Sequence, residues 1–325
     1  MSAVRDFMDH HFLHFNSREL VAAAKGYEAH IAAGGKMMVT LAGAMSTARL
    51  GRILSRMIRA GQVHAISCTG ANLEEDAFTL LACDEYETIQ DWRALSAADE
   101  AALLERGMNR VTDTCIPETV MRHIEKRLQR RWTEATERGE TKLPSEFMME
   151  VLSEDDIAQH FQAPVTDSWL LAAKEMGVPV FTPGFEDSTT GNMFAAFVFR
   201  KGLAGHGCVA SGTAQMEQLM HWYIGHCGDG TTHPSVGFFQ IGGGIAGDFA
   251  ICAVPTLMQD LKMELPLWGY FAQISDAVTS YGGYSGAVPN EKITWGKLDV
   301  DTPKFMVQSD ATICAPLLFA YVLKD

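Results

Sequence analysis

The chain has 325 residues, of which 47% are hydrophobic and 20% charged. This ordinary globular composition excludes a disordered, collagen-like or coiled-coil protein. Lysine and arginine number 26 against 40 aspartates and glutamates, so the formal net charge is -14. An acidic surface repels phosphate backbones, which argues against a nucleic-acid partner, and it attracts polycations.

Membrane and secretory signals are not evident in the sequence. The longest nearly apolar run, residues 314–323, is about half of the roughly twenty residues that a spanning helix needs. The first twelve residues lack a basic segment followed by an apolar core, so we expect no signal peptide. The seven cysteines are scattered and form no CxxC pair. They predict reduced thiols and a cytoplasmic protein, not a disulfide framework or a zinc site.

Buried-strand patterns alternate with helical patterns along the chain. We predict helices over residues 16–33, where Asn16 and Glu19 have capping-box spacing, over 46–61, from Glu74-Glu75-Asp76 onward, over 115–141, and from Asp155-Asp156. Strands are predicted over residues 37–42, 63–68, 178–182, 235–241, 267–274 and 305–309. This order favours one α/β domain over residues 1–325, with a mostly parallel sheet and helices on both faces. Residues 1–15 are predicted to be an arm that is mobile or lies at an interface.

Four predicted strands end in small residues, at positions 41–47, 67–72, 241–247 and 308–312. Ligands of such sheets bind beyond the carboxyl ends of the strands, where small residues allow close backbone approach. Tight turns explain any one of these loops, but four together favour a nucleotide site. Gly242, Gly244 and Gly247 match GxGxxG, although the match is late in the chain and weak alone. The histidines show no metal-ligand spacing, so no metal is predicted.

Residues 280–297 form the most informative stretch of the sequence. Small turn residues precede Glu291, Trp295 and Lys297. A lysine in a desolvated pocket can lose its proton and attack an imine or carbonyl carbon. An indole can stack against a cationic amine, and a carboxylate can pair with an ammonium. The alternative is an ordinary solvated lysine, which spacing alone does not exclude.

These residues give the chain a resemblance to the deoxyhypusine synthase family, from about residue 15 to the end. Trp295-Gly296-Lys297 resembles the family's active-site WGK. The other matching segments, in order, are Thr69-Gly70-Ala71-Asn72 with Glu74-Glu75-Asp76, then Gly242-Gly243-Gly244, then Asp310-Ala311 followed by Ala315-Pro316-Leu317-Leu318.

The resemblance implies a Rossmann-like fold and a homotetramer with NAD at subunit interfaces. In the family, NAD oxidises spermidine to an imine and 1,3-diaminopropane leaves. The active-site lysine takes the butylimine by transimination, and an acceptor amine then receives it. The retained NADH finally reduces the product, so the net redox change is zero.

The resemblance also implies roles for individual residues. Lys297 would be the covalent nucleophile. Substrate would be bound by Glu291, Trp295, Asn192, Asp248 and Tyr284. Cofactor would be bound by Ser46, Thr47, Thr69, Gly70, Ala71, Glu75, Asp187, Gly243, Asp276, Ala277, Ser285, Asp310 and Ala311.

The chain departs from the eukaryotic pattern at the predicted substrate site. An amide, Asn192, replaces an aspartate, and Asp248 replaces a histidine that is a general-base candidate. Tyr281 and Tyr284 replace two aspartates. This pattern resembles bacterial members, so the acceptor is either a protein lysine, as in the parent family, or a small amine such as putrescine, giving homospermidine. A paralogue that binds NAD or polyamine without turnover is the alternative of another class.

Overall fold

The computed structural model describes residues 3–279 and 282–325. Its helices are α1 (Ala3–His11), α2 (Phe15–Ala32), α3 (Gly51–Arg59), α4 (Gly70–Ala82), α5 (Ala97–Glu105), α6 (Glu118–Arg138), α7 (Pro144–Val151), α8 (Asp155–Ala158), α9 (Trp169–Met176), α10 (Thr189–Phe199), α11 (Gly212–His226), α12 (Gly244–Ile251), α13 (Ala253–Pro255) and α14 (Ala311–Leu323). Its strands are β1 (Met37–Leu41), β2 (Ala65–Cys68), β3 (Glu87–Thr88), β4 (Met108–Val111), β5 (Thr114–Pro117), β6 (Val180–Phe181), β7 (Gly237–Ile241), β8 (Tyr270–Ser275) and β9 (Lys304–Gln308). Within the described ranges, no helix is both long and apolar enough to cross a membrane.

The main sheet has six strands in the order β6-β2-β1-β7-β8-β9, and every pairing in it is parallel. This confirms the predicted α/β class. Successive residues of a strand point to opposite faces. In β1, Met37 and Val39 therefore join the core beneath α2 and α14, whereas Met38 joins the core beneath α11 and α12. Helices thus cover both faces of the sheet.

A second, three-stranded antiparallel sheet was not predicted. Its order is β3-β5-β4, and it lies between α4 and α6 in the sequence. Its strands are only two to four residues long, which is too short to show the apolar alternation that marks a half-buried strand. The predicted helix over 115–141 was therefore too long at its start, because residues 114–117 belong to β5 and the helix begins at Glu118.

The predicted capping box at the start of α2 is wrong. The helix begins at Phe15, and its N-cap residue His14 makes no side-chain cap. Asn16 Nδ2 instead donates to the Gln308 carbonyl at 2.8 Å, and the Met306 N–H donates to Glu19 Oε1 at 3.1 Å. Because β9 is an edge strand, its outer backbone groups need partners, and these two side chains provide them.

Two other helix starts differ from the prediction. Helix α3 begins at Gly51, not at residue 46, because the preceding loop turns back toward α4 and Arg49 has a φ of 62°. Helix α4 begins at Gly70, where the Thr69 side chain accepts from the Asn72 N–H. Glu74, Glu75 and Asp76 therefore lie beyond the first turn, and all three are buried.

The described part of the N-terminal arm packs on the body of the same chain. Helix α1 lies against α14, where the Val4 N–H donates to the Asp325 carbonyl at 3.2 Å. Arg5 forms an ion pair with Glu28 at 2.8 Å, and the Tyr321 hydroxyl donates to Asp9. All seven cysteines are free thiols.

Candidate functional site

The loops that follow the main strands meet at one edge of the sheet. The chain runs outward from β1 in both directions, so β1 and β7 flank the switch point where ligands of such sheets bind. The loop after β1, the start of α4, the glycine turn after β7 and the start of α14 all lie at this edge. The sequence predicts that these four small-residue segments lie close together, and the parallel sheet brings them to one edge.

One buried side chain holds the first two loops together. Asn72 Nδ2 donates to the carbonyls of Leu41, Ala42 and Gly43 at 2.8–3.2 Å. Its Oδ1 accepts from the Ser46 N–H at 2.9 Å. Asn72 is fully buried, and sequence analysis did not list it as a site residue although it lies in the Thr69–Asn72 motif. It fixes the loop that carries two predicted cofactor residues.

The predicted cofactor residues near β1 are mostly buried. The Thr47 N–H donates to Glu75 Oε2 at 3.2 Å, and burial raises the pKa of Glu75 to about 7. Thr69 Oγ1 donates to the Gly43 carbonyl at 2.8 Å. A side chain at Gly70 would place its Cβ 2.4 Å from the Cβ of Ser188, so only glycine fits this helix start.

The remaining cofactor candidates line the same edge. Ala71 is half-buried, Asp187 and Asp276 are exposed, and Ala311 is buried. Ala277 donates its N–H to Ser275 Oγ at 3.2 Å. The Asp310 side chain caps α14 by accepting from the Thr312 N–H at 2.7 Å.

The glycine turn after β7 is in contact with the loop that precedes Lys297. A Cβ on Gly243 would lie 2.0 Å from Ser285 Oγ and 2.6 Å from Ser285 Cα. The Gly244 N–H donates to Ser285 Oγ at 3.1 Å. Gly243 is therefore required because the two backbones approach closely, and this contact joins the cofactor edge to the lysine loop.

Lys297 lies in a cavity of about 380 Å³. The residue is only 6% exposed, and its Nζ lies 3.1 Å from Asp248 Oδ1. The Asp248 side chain is half-exposed, so the pair faces the cavity and is not sealed in the core. The solvated-lysine interpretation of Lys297 is thus wrong in this fold, because the turn after residue 293 directs the side chain inward.

Aromatic rings form part of the cavity wall. Lys297 Nζ lies 5.4 Å from the centroid of the Tyr284 ring and 6.0 Å from that of Trp295. The Tyr284 hydroxyl donates to Gln240 Oε1 at 2.8 Å, which fixes its ring. Glu291 is exposed at the cavity rim. The cavity therefore offers carboxylates and π faces, the groups that bind alkylammonium ions.

One of the residues that depart from the eukaryotic pattern is not found in this cavity. Asn192 lies exposed on α10, where its Nδ2 donates to the Glu186 carbonyl at 2.7 Å, and it is not among the cavity residues. Tyr281 lies outside the described residues. The roles assigned to individual residues by resemblance stay predictions.

Sequence analysis missed several cavity residues, including Cys252, Gln259, Asp260 and Lys292. Lys292 is the most unusual of them, because it is 2% exposed. Its position five residues before Lys297, beside Glu291, is typical of a solvated charged turn, and the sequence holds no signal of its burial. Among the described residues, no group of three or more histidines, cysteines and carboxylates is placed to hold a metal ion.

The fold defines a class, namely α/β proteins built on a doubly wound parallel sheet. Comparison with known proteins specifies it further. The deoxyhypusine synthase family model matches residues 7–322. The chain belongs to the deoxyhypusine synthase family, and membership implies a transferase.

Relatives and a solved structure agree with this assignment. A deoxyhypusine synthase-like protein of a Nostoc species is 30% identical over 338 residues, covering 99% of this chain and 82% of that protein. A probable deoxyhypusine synthase of Archaeoglobus fulgidus is 28% identical, covering 95% and 90%. The crystal structure of a putative deoxyhypusine synthase from Entamoeba histolytica superposes with a TM-score of 0.59 at 12% identity, over 95% of this chain and 88% of that one. At that identity the superposition supports the fold alone.

Proposed function

We propose that the protein is an NAD-dependent aminobutyl transferase that moves the butylamine group of spermidine through an imine on Lys297 to an acceptor amine. The observation that carries this proposal is the buried Lys297 in a cavity of carboxylates and aromatic rings, at the end of a loop whose Ser285 contacts the glycine turn of the predicted cofactor edge. A non-catalytic binder would have no need for a buried amine at this place.

The residues at the carboxyl edge fit a dinucleotide. The Thr47 hydroxyl is buried and has no partner among residues 3–279 and 282–325. Gly244 has a φ of 59°, and a Cβ added there would meet nothing within 4 Å, so open space adjoins this backbone. When bound, NAD would accept a hydride from the donor carbon. Residues around Thr47, Gly243 and Ser285 would hold it beside the lysine cavity.

The chain's own residues account for the other requirements of the reaction. Asp248 holds Lys297 Nζ and offers a carboxylate to an incoming ammonium ion. Tyr284 and Trp295 favour a cationic alkylamine over a neutral chain. Lys297 attacks the donor imine carbon, its nitrogen replaces 1,3-diaminopropane, and the butylimine stays on the protein until an acceptor amine displaces it.

The acceptor is either a protein lysine or a diamine such as putrescine, and the same chemistry serves both. The subunit arrangement is also part of the proposal. Trp295 is 63% exposed, which suits a site that a second subunit covers in a homotetramer. The free thiols suit a reducing, cytoplasmic setting.

Mass spectrometry tests this function. The protein is incubated with NAD and spermidine, with and without putrescine, and trapped with borohydride. We expect 1,3-diaminopropane and a butylamine adduct that maps to Lys297, whereas Lys297→Ala and Lys297→Arg give neither, since a guanidinium remains protonated. The exposed Lys126→Ala serves as the matched control. Homospermidine only with putrescine identifies the diamine acceptor, and its absence beside an intact adduct indicates a protein lysine. Wild-type protein without adduct or diaminopropane would contradict the proposal.

A further inference from the structure

The cavity holds a second buried lysine that the proposed reaction has not yet used. Lys292 is 2% exposed and lines the same cavity as Lys297. Both lysines belong to one turn, because the Lys297 N–H donates to the Lys292 carbonyl at 3.1 Å. Their ammonium nitrogens also share one ring, since Lys292 Nζ lies 5.0 Å and Lys297 Nζ 5.4 Å from the Tyr284 centroid.

The two amines have different partners. Lys297 has a carboxylate, Asp248, at 3.1 Å. Among the described residues, Lys292 Nζ donates only to the Ala287 carbonyl, at 3.3 Å, and it lies 4.9 Å from the centroid of Phe271. Within residues 3–279 and 282–325 it forms no ion pair. An ammonium has three N–H donors, so most of the hydrogen-bonding capacity of a charged Lys292 is unused.

Electrostatics shifts this amine toward its neutral form. Burial lowers the pKa of Lys292 to about 8, and the charge of Lys297 acts in the same direction. The negative charges of Glu291 and Asp248 raise the pKa of Lys292, but not enough to restore its usual value. The Tyr284 ring also faces Lys292, and its hydroxyl has a pKa well above its usual value and stays neutral. A lysine tuned to this range is suited to accept a proton near neutral pH.

Besides Asp248, the carboxylates that line the cavity are Glu291 and Asp260, and both are exposed to solvent, whereas Lys292 is buried. The general-base histidine of the eukaryotic pattern is replaced by Asp248, and that carboxylate is paired with Lys297. Yet a donor amine enters as an ammonium ion and must lose a proton before its neighbouring carbon can give up a hydride.

We propose that Lys292 is the base that accepts the proton of the donor's secondary ammonium in this cavity. The proposal rests on the function proposed above. The proton moves from the donor nitrogen to the lone pair of neutral Lys292 Nζ, which leaves a free amine and an ammonium. No electrons are exchanged in this step. When Lys297 displaces 1,3-diaminopropane, the ammonium at Lys292 can return the proton to the leaving nitrogen, which regenerates the base.

The test compares wild type with Lys292→Met, Lys292→Arg and the exposed control Lys126→Met. The initial rate of 1,3-diaminopropane release from spermidine and NAD is measured between pH 6.5 and 9.5. We expect the wild-type rate to rise through about pH 8. Lys292→Met should lower it by about 100-fold or more and remove that inflection, since general base catalysis typically contributes 10²–10⁴-fold. Lys292→Arg should be equally impaired, because a guanidinium offers no lone pair.

The outcomes separate the two proposals. Wild-type protein that releases no diaminopropane overturns the proposed function, and the role of Lys292 with it. Active wild type with an unchanged rate and pH profile in Lys292→Met overturns the role of Lys292 alone. Recovery of the rate in Lys292→Arg also overturns it, because a fixed charge would then suffice. Thermal melting of each variant confirms folding.

Discussion

Two buried clusters of charged residues lie near the carboxyl edge of the same sheet and differ in how their charges are partnered. The acidic triplet consists of Glu74, Glu75 and Asp76 on α4. The lysine pair consists of Lys292 and Lys297 on the turn before β9. All five residues are less than 10% exposed. Burial disfavours their charged forms in principle, so hydrogen bonding decides what each cluster does.

Each carboxylate of the triplet ties α4 to another element. Glu74 accepts from the N–H groups of Thr189 and Thr190 at 3.0 and 2.7 Å, at the start of α10. Asp76 accepts from the Ser168 hydroxyl and from the Leu170 N–H at 3.2 Å, at the start of α9. The first N–H groups of a helix have no partner within the helix. These carboxylates accept hydrogen bonds from them and thereby fix the starts of α9 and α10 against α4.

The lysine pair has no comparable network within the part of the chain that the structure describes, because Lys292 has a single long hydrogen bond there and Lys297 faces the cavity. The comparison teaches that a buried charged group with several fixed hydrogen-bond partners has a structural role. Buried charge with few partners, beside open space, is available for proton transfer. Asp76→Ala and Lys292→Met should therefore have opposite effects on stability.

The largest effect is expected for Asp76→Ala. This change leaves the Ser168 hydroxyl and the Leu170 N–H buried without an acceptor, and we expect the free energy of unfolding to fall by roughly 4 kcal/mol. Urea unfolding at pH 7 and a fixed protein concentration measures it. The exposed Asp91→Ala is the control, with a change of about 0.5 kcal/mol or less. A loss below 1 kcal/mol would show that the triplet does not hold α9 in place.

A gain of stability is expected for Lys292→Met. The pKa of Lys292 is about 8 in the folded chain against a usual value of 10.5, so the folded state at pH 7 holds an unfavourable ammonium. Removing it should stabilise the protein by about 3 kcal/mol. The unfolded state binds more protons between these two pKa values, so wild-type stability rises with pH across this window and the difference disappears above about pH 10.5. Urea midpoints at pH 7 and 10.5 measure it. A destabilised variant at pH 7 would place Lys292 with the structural charges.

A smaller gain in the free energy of unfolding, about 2 kcal/mol at pH 8, is expected for Glu75→Gln. The folded pKa of Glu75, about 7, lies above its usual 4.5, so the native state binds the extra proton. Its stabilising contribution is present below pH 4.5 and is lost as pH rises through 7. Glutamine keeps an acceptor for the Thr47 N–H but cannot ionise. The free energy of unfolding, measured at pH 5 and 8, should therefore fall less with pH in the variant than in wild type. Equal falls in both proteins would show that Glu75 is not the group that titrates.

Much of the architecture follows from the sequence because parallel strands are buried on both faces. Continuous apolar runs mark β1, β7 and β8 within a few residues of their observed ends, and the helices between them impose a parallel sheet. That topology alone gathers four small-residue loops at one edge. Trp295-Gly296-Lys297 then indicates the family, and with it the lysine that we propose as the nucleophile.

Other features depend on contacts between residues that are distant in the chain. Asn16 and Glu19 have capping spacing, yet they bind the edge strand β9 almost 300 residues away. Sequence patterns do not encode which backbone groups an edge strand leaves open.

Lys292 gives the sharpest contrast between what the sequence indicates and what the tertiary structure decides. Its neighbours in sequence are typical of an exposed turn, and only the packing of Phe271 and Tyr284 around it removes its water. The sequence by itself determined the sheet, the converging loops and the candidate nucleophile, because these depend on periodicity and local motifs. The tertiary structure decided which charges lose their solvent and which keep a partner, because desolvation is a property of the whole fold.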